Sequence, residues 1–179
     1  MTSISIVREK ETGTMEVLLV SPMKPIYIIL AKAVPYFVLS FVNLATILLL
    51  SVFVLHVPIA GNFFVLILVS LLFIFVSLSL GLLISTVTQN QIAAMLVSGM
   101  VLLMPNTLMS GMIYNIDAMS APLQVISSIL PARWYIEIVR KVMIQGVSVV
   151  FVLKEIAILV LMAFVLIMIS LKKFKIRLE

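Results

Sequence analysis

FFVLILVSLLFIFVSLSLGLLIS, from Phe63 to Ser85, contains no Asp, Glu, Lys, Arg or His over 23 consecutive residues. A helix of that length rises about 35 Å, enough to cross a hydrocarbon core of about 30 Å. Backbone N–H and C=O groups find no water in such a core, so without a closed barrel only a helix keeps them paired. The stretch is therefore expected to be a membrane span, and its serines and Gly81 to serve close helix packing.

Three more apolar runs of similar length lie on either side of it, at about 33–55, 92–113 and 150–171. The expected fold is an all-α, polytopic integral membrane bundle of about four transmembrane helices. Composition agrees: 64% of the 179 residues are hydrophobic and 11% are charged, against about 45–50% and about 25% in soluble domains. A water-soluble globule is excluded. The formal charge of +5 does not indicate nucleic acid, because the charges collect at the ends of the apolar runs. With four spans both termini share a side. That side receives Arg8, Lys10, Lys24, Lys32, Lys172, Lys173, Lys175 and Arg177, while Arg133, Arg140, Lys141 and Lys154 face the other, diluted by three acids. The positive-inside bias places both termini in the cytoplasm.

The connections differ in character. HVPIAGN (56–62) and TVTQNQ (86–91) are tight turns. The segment 114–149 is the one elaborated, external loop. Within it, Ala132 to Gly146 reads as an amphipathic helix. Arg133 and Glu137 are spaced i, i+4, as are Glu137 and Lys141, and Glu137 and Arg140 are i, i+3, so an ion ladder is expected along one face. Trp134 and Tyr135 suit a headgroup boundary. With LQVISSIL (123–130) before Pro131, the segment reads as a helix that dips into the outer leaflet and returns, or alternatively as a solvated loop helix. In the third span Pro105, Asn106, Thr107, Ser110 and Gly111 predict a kink and a small, polar patch. The patch either lines a pathway or packs helices.

Several chemistries find no residues. The glycines form neither a G-x-x-x-x-G-K loop nor a G-x-G-x-x-G fingerprint, so no nucleotide site of its own is expected, and no zinc pair or nucleophile elbow occurs. His56, the single histidine, stands where the first span ends, and cysteine is absent. No catalytic, cofactor-binding or metal residues are expected. No span centre carries an acid or base of the kind that proton-driven carriers keep.

The opening segment, residues 1–25, has its own logic. REKETGTMEVLLVSPMKP (8–25) is dense in mixed charge. Thr14 is a candidate N-cap, Glu16 suits the first turn, and Met15, Leu18 and Leu19 share a face. A short amphipathic helix on the cytoplasmic surface is predicted, ended by Ser21, Pro22 and Pro25. It reads as an interfacial anchor or as a contact for a protein partner.

That string resembles the cytoplasmic signature of ABC transporter permeases of the type-2 exporter class, R-E-R-E-x-G-T-x-E-x-L-L-x-[ST]-P followed by G-K-x-x-P. Arg8, Glu9, Glu11, Gly13, Thr14, Glu16, Leu18, Leu19, Ser21 and Pro22 agree, as do Lys32 and Pro35, while Ala31 stands where glycine is common. The segments MSGMIYNIDAM and LPARWYIEIVRKVMIQG resemble the family's outer re-entrant region, with Gly111, Pro131, Arg140 and Gly146 in place and with Asn115 and Ser120 where prolines are usual. The resemblance implies a coupling helix, carried by Arg8, Glu9, Glu11, Gly13, Thr14, Glu16, Leu18, Leu19 and Pro22, that docks on a separate ATPase subunit. Read from the residues themselves, Pro105, Asn106, Thr107, Ser110, Gly111, Pro131, Arg133, Glu137 and Arg140 are the candidates for a pathway or outer gate. The expected protein is a permease subunit of an ATP-driven exporter in a bacterial inner membrane, paired with a second permease copy or homologue. Family members carry further spans before the signature, so the chain is expected to be the C-terminal portion of one. The rival expectation is a non-transporting membrane scaffold or regulatory stub.

Overall fold

A computed structural model describes residues 2–11, 25–57 and 59–176. The helices are α1 (Thr2–Glu11), α2 (Pro25–Phe53), α3 (Phe63–Val87), α4 (Gln91–Met109), α5 (Ala121–Ser128), α6 (Pro131–Val139) and α7 (Leu153–Ile176). No strand occurs among the described residues. Among the described residues four helices are long and apolar enough to cross a membrane: Ala31–Phe53, Phe63–Val87, Gln91–Met109 and Val149–Ser170. The chain is thus an all-α, multi-pass membrane bundle.

Asparagines start two of these spans. Asn62 Oδ1 accepts from the Phe64 N–H at 2.9 Å, and Asn90 Oδ1 accepts from the Ala93 N–H at 2.7 Å. Each satisfies an N–H that has no partner within its own helix. At the other end of α3, the Thr88 hydroxyl donates to the Ile84 carbonyl at 2.8 Å.

Helix α3 is the centre of the bundle, packing on α1, α2, α6 and α7. Leu66 and Val69 of α3 meet Ile138, Val142, Val152 and Leu159 in a closed apolar core. Lipid tails are as apolar as these side chains, so dispersion and close approach, rather than exclusion from water, hold this contact. Small residues provide the approach. Ser79, Gly81 and Ser85 are buried on α3, and the Ser79 hydroxyl returns to the Phe75 carbonyl at 2.8 Å.

The turn before α3 is locked onto the end of α6. Ala60 N–H donates to the Met143 carbonyl at 3.0 Å. A Cβ on Gly61 would lie 2.3 Å from the Val142 carbonyl oxygen, so only glycine allows this approach.

Helix α4 differs from its neighbours. It is helical to Ser98 and passes through a π-turn at Ser98–Leu103, where the Met104 N–H reaches back to the Gly99 carbonyl; it resumes at Met104–Met109. The expected disturbance at Pro105 takes this form because proline has no N–H and its ring crowds the carbonyl four residues back. The helix then stops at Met109, and the chain bends through Gly111, whose φ is +83°. Along its middle α4 is barely covered, with Met95, Leu96, Met100, Leu103 and Met104 all exposed.

Helix α1 was not anticipated. Its composition is polar, but Ser3 and Val7, spaced i, i+4, are buried against α3 and α4. The amphipathic helix expected around Met15, Leu18 and Leu19 lies outside the described residues.

Candidate functional site

Two polar sites stand at opposite ends of α4. At its N-terminal end, α1 grips the turn between α3 and α4 by three contacts. The Val7 N–H donates to Ser85 Oγ at 3.1 Å. Ser98 Oγ donates to Ser3 Oγ at 2.8 Å, at the residue where the π-turn begins. Glu11 takes both the backbone N–H of Gln91, at 2.7 Å, and its side-chain amide, at 2.5 Å. Gln91 opens α4, so a carboxylate here meets an orphan donor and the positive end of the helix dipole. Of the residues expected to couple to an ATPase, Arg8, Glu9 and Glu11 lie on α1, and Arg8 and Glu11 are exposed. Gly13, Thr14, Glu16, Leu18, Leu19 and Pro22 lie outside the described residues.

At the C-terminal end of α4, a polar cleft of about 280 Å³ opens between the bend after α4 and helix α6. It gathers Ser110, Gly111, Arg133, Glu137 and Arg140 of the expected gate residues and adds Asn115, Lys141 and Gln145. Pro105, Asn106, Thr107 and Pro131 do not line it. Thr107 Oγ1 donates to the Leu103 carbonyl of its own helix at 2.7 Å, and Pro131 is buried at the start of α6.

The expected ion ladder is only partly formed. Glu137 pairs with Lys141 at 2.9 Å, but Arg133 turns away from Glu137 toward the C-terminal end of α5. There its Nη1 donates to the Gln124 carbonyl at 2.9 Å and to Ser128 Oγ at 2.8 Å. Carbonyls left open at a helix C-terminus accept hydrogen bonds from a cation, and the helix dipole favours its charge there. The Trp134 indole donates to the Ser128 carbonyl at 2.9 Å and lies under the Arg133 guanidinium, 5.3 Å away. The α5–α6 corner is thereby closed. Arg140 Nη2 donates to the Gly111 carbonyl at 3.1 Å, and Ser127 Oγ donates to the Met109 carbonyl at 2.6 Å, so both helices hold the end of α4.

Lys141 also reaches Glu155, 2.8 Å away in the first turn of α7. Glu155 is only 5% exposed. The hydrogen bond that Lys141 donates to Glu155, then the one it donates to Glu137, raises the Lys141 pKa above its usual value. Sequence spacing could not show this pair, which joins residues 14 apart across a turn. Tyr135 is partly buried and packs against the apolar core. It stacks on Phe73 with ring centroids 4.2 Å apart, and its hydroxyl lies 3.0 Å from Ser70 Oγ.

Among the described residues no group of His, Cys, Asp and Glu is arranged to hold a metal.

Comparison with known proteins identifies the type of scaffold. The ABC-2 family transporter protein profile matches residues 1–172. "Probable multidrug ABC transporter permease YbhS" of Escherichia coli K12 is 36% identical over 146 residues, covering 82% of this chain and 39% of that protein. "Probable multidrug ABC transporter permease YbhR" of the same organism is 29% identical over 148 residues, covering 83% of this chain and 40% of that protein. "ABC transporter G family member 20" of Dictyostelium discoideum is 28% identical over 148 residues, covering 83% of this chain and 20% of that protein. The chain therefore spans about two-fifths of the length of the two E. coli relatives. No solved structure matches. With its family profile covering nearly the whole sequence and its fold a multi-pass helical bundle, the chain belongs to the ABC-2 family of transporter proteins.

Proposed function

We propose that the chain forms part of the membrane permease subunit of an ATP-driven ABC exporter, which takes its energy from a separate ATPase subunit and works as a dimer of permeases. Both termini and the α1 end face the cytoplasm of a bacterial inner membrane, and the polar cleft faces outward. The observation that carries the reading is the mechanical position of α4. Helix α1 holds it at one end through Glu11 and Ser3, α5 and α6 hold the other, and its middle packs on little. Residues 12–24, carrying Gly13, Thr14, Glu16, Leu18, Leu19 and Pro22, follow α1 directly and form the contact with the ATPase. Closure of that partner displaces α1, α1 carries the first turns of α4 with it, and the π-turn absorbs the change before it reaches the cleft.

The ATPase contact is tested by truncating Leu18 and Leu19 to alanine in the permease expressed with its ATPase. Buried anchors of this kind commonly contribute upwards of about 1–2 kcal/mol each, so copurification should fall while membrane insertion persists. Full retention of the ATPase by the double variant removes the docking assignment. Orientation is tested with single cysteines at Gln89 and Ser120 in this cysteine-free chain. The first should label only from the cytoplasm and the second only from outside, and labelling of both from one side refutes the topology.

A further inference from the structure

We propose that the cleft at the C-terminal end of α4 binds a phosphoryl anion, presented by a phospholipid headgroup or as free phosphate. The first ground is the balance of charge among the described side chains. Glu137, the carboxylate that lines the cleft, is engaged by Lys141, and Lys141 is shared with Glu155. Arg133 and Arg140 also line the cleft, but the bonds they make run to carbonyl and hydroxyl oxygens of Gln124, Ser127, Ser128 and Gly111. Among the described side chains, two guanidinium charges thus line a common space whose one carboxylate, Glu137, is set against Lys141. Planar guanidinium groups match the oxygens of a phosphoryl group in geometry as well as in charge.

The second ground is independent of charge. Ser110 is 1% exposed and lines the cleft, yet its hydroxyl has no hydrogen-bond partner, and Arg133 Nε is buried with none either. Both can donate, and an unpaired buried donor costs about 1–3 kcal/mol. An acceptor with several oxygens answers both, and the exposed amide of Asn115 lies on the same wall.

Size and setting narrow the ligand. A volume of about 280 Å³ lies at the low end of ligand pockets and suits a headgroup better than a large drug-like molecule. Helix α5, closing the corner beside the cleft, exposes Val125 and Ile126, and Ile129 just after it is exposed too. That apolar face suits a helix lying in the headgroup boundary of a bilayer, where phosphoryl groups are concentrated. The claim concerns binding and stands whether or not the chain transports.

Trp134 is the only tryptophan and lies against Arg133, so its fluorescence reports on the cleft. The full chain, purified in a nonionic detergent, is titrated at fixed ionic strength with inorganic phosphate and, separately, with short-chain phosphatidylglycerol. A saturable change with both probes shows that the phosphoryl group suffices, and a change with phosphatidylglycerol alone assigns the site to the lipid headgroup. Arg140→Gln should weaken binding about tenfold or more, since it removes a charge-assisted contact, and Ser110→Ala about fivefold. Size-exclusion elution shows whether each variant keeps the parent fold, and Ser110→Ala provides the test if Arg140→Gln does not. No saturable change with either probe, or affinity unaltered in the folded variants, overturns the proposal.

Discussion

Replacing Lys141 by methionine removes an ammonium while keeping a side chain of similar length. In the structure Lys141 lies 2.8 Å from Glu155 and 2.9 Å from Glu137. Glu137 is partly solvated and tolerates the loss. Glu155 is 5% exposed and its second carboxylate oxygen has no partner, so the variant strands a charge inside the bundle. Breaking a buried pair from one side costs about 3–5 kcal/mol. At about 2–4 °C per kcal/mol for a chain of this size, thermal unfolding in detergent should fall by about 6–20 °C. The double variant Lys141→Met with Glu155→Leu should recover most of that loss, because the stranded carboxylate is gone too. The pH dependence follows from the raised pKa of Lys141. A cation whose folded-state pKa is raised contributes stability that is fully present below its ordinary value of about 10.5 and lost as pH rises through the higher folded value. The difference between parent and single variant should therefore shrink in strong alkali, where Lys141 loses its proton, and also in acid, where a protonated Glu155 leaves no charge to strand. A single variant no less stable than the double would refute the assignment of Glu155 as a buried, lysine-dependent charge.

Three further substitutions probe the packing. Gly61→Ala places a methyl group 2.3 Å from the Val142 carbonyl oxygen, which backbone alone must relieve; a loss of at least about 2 kcal/mol is expected. Gly99→Ala meets nothing within 4 Å and should cost nothing, so equal unfolding temperatures for the two variants contradict the docking of the turn onto α6. Tyr135→Phe keeps the stack on Phe73 and loses the hydroxyl contact with Ser70. It should cost about 1 kcal/mol in the same scan, and a loss several times larger means that Tyr135 does more than this geometry assigns to it.

The spans were legible because lipid leaves the backbone few choices. Phe63–Ser85 has no charge to place and no strand partner to find, so length alone predicts a helix. The turns at Asn62 and Asn90 were legible for a local reason, since polar turn residues stood between apolar runs. Helix α1 was not, because Ile4, Ile6 and Val7 among seven polar residues form no apolar stripe wide enough to signal burial, and only contact with Ser85 and Ser98 makes Ser3 and Val7 an inner face. Arg133 misled for a related reason. Helical spacing offered Glu137 as its partner, whereas the carbonyls ending α5 become available only when that helix folds back beside it. Glu155 gave no sign of its partner, because Lys141 stands 14 residues away across a turn.

The central claim is that α1 transmits the state of the ATPase along α4 to the cleft. A cysteine at Ser110 reads it directly, since that residue is 1% exposed and the chain is otherwise free of cysteine. The measurement is its labelling rate by a membrane-impermeant thiol reagent, in membranes holding permease and ATPase, with and without ATP. The account predicts that ATP raises the rate severalfold in the parent background. With Glu11→Ala, which removes both bonds to Gln91, ATP should leave the rate unchanged although the ATPase remains bound. An equal response to ATP in the Glu11→Ala background would contradict the account.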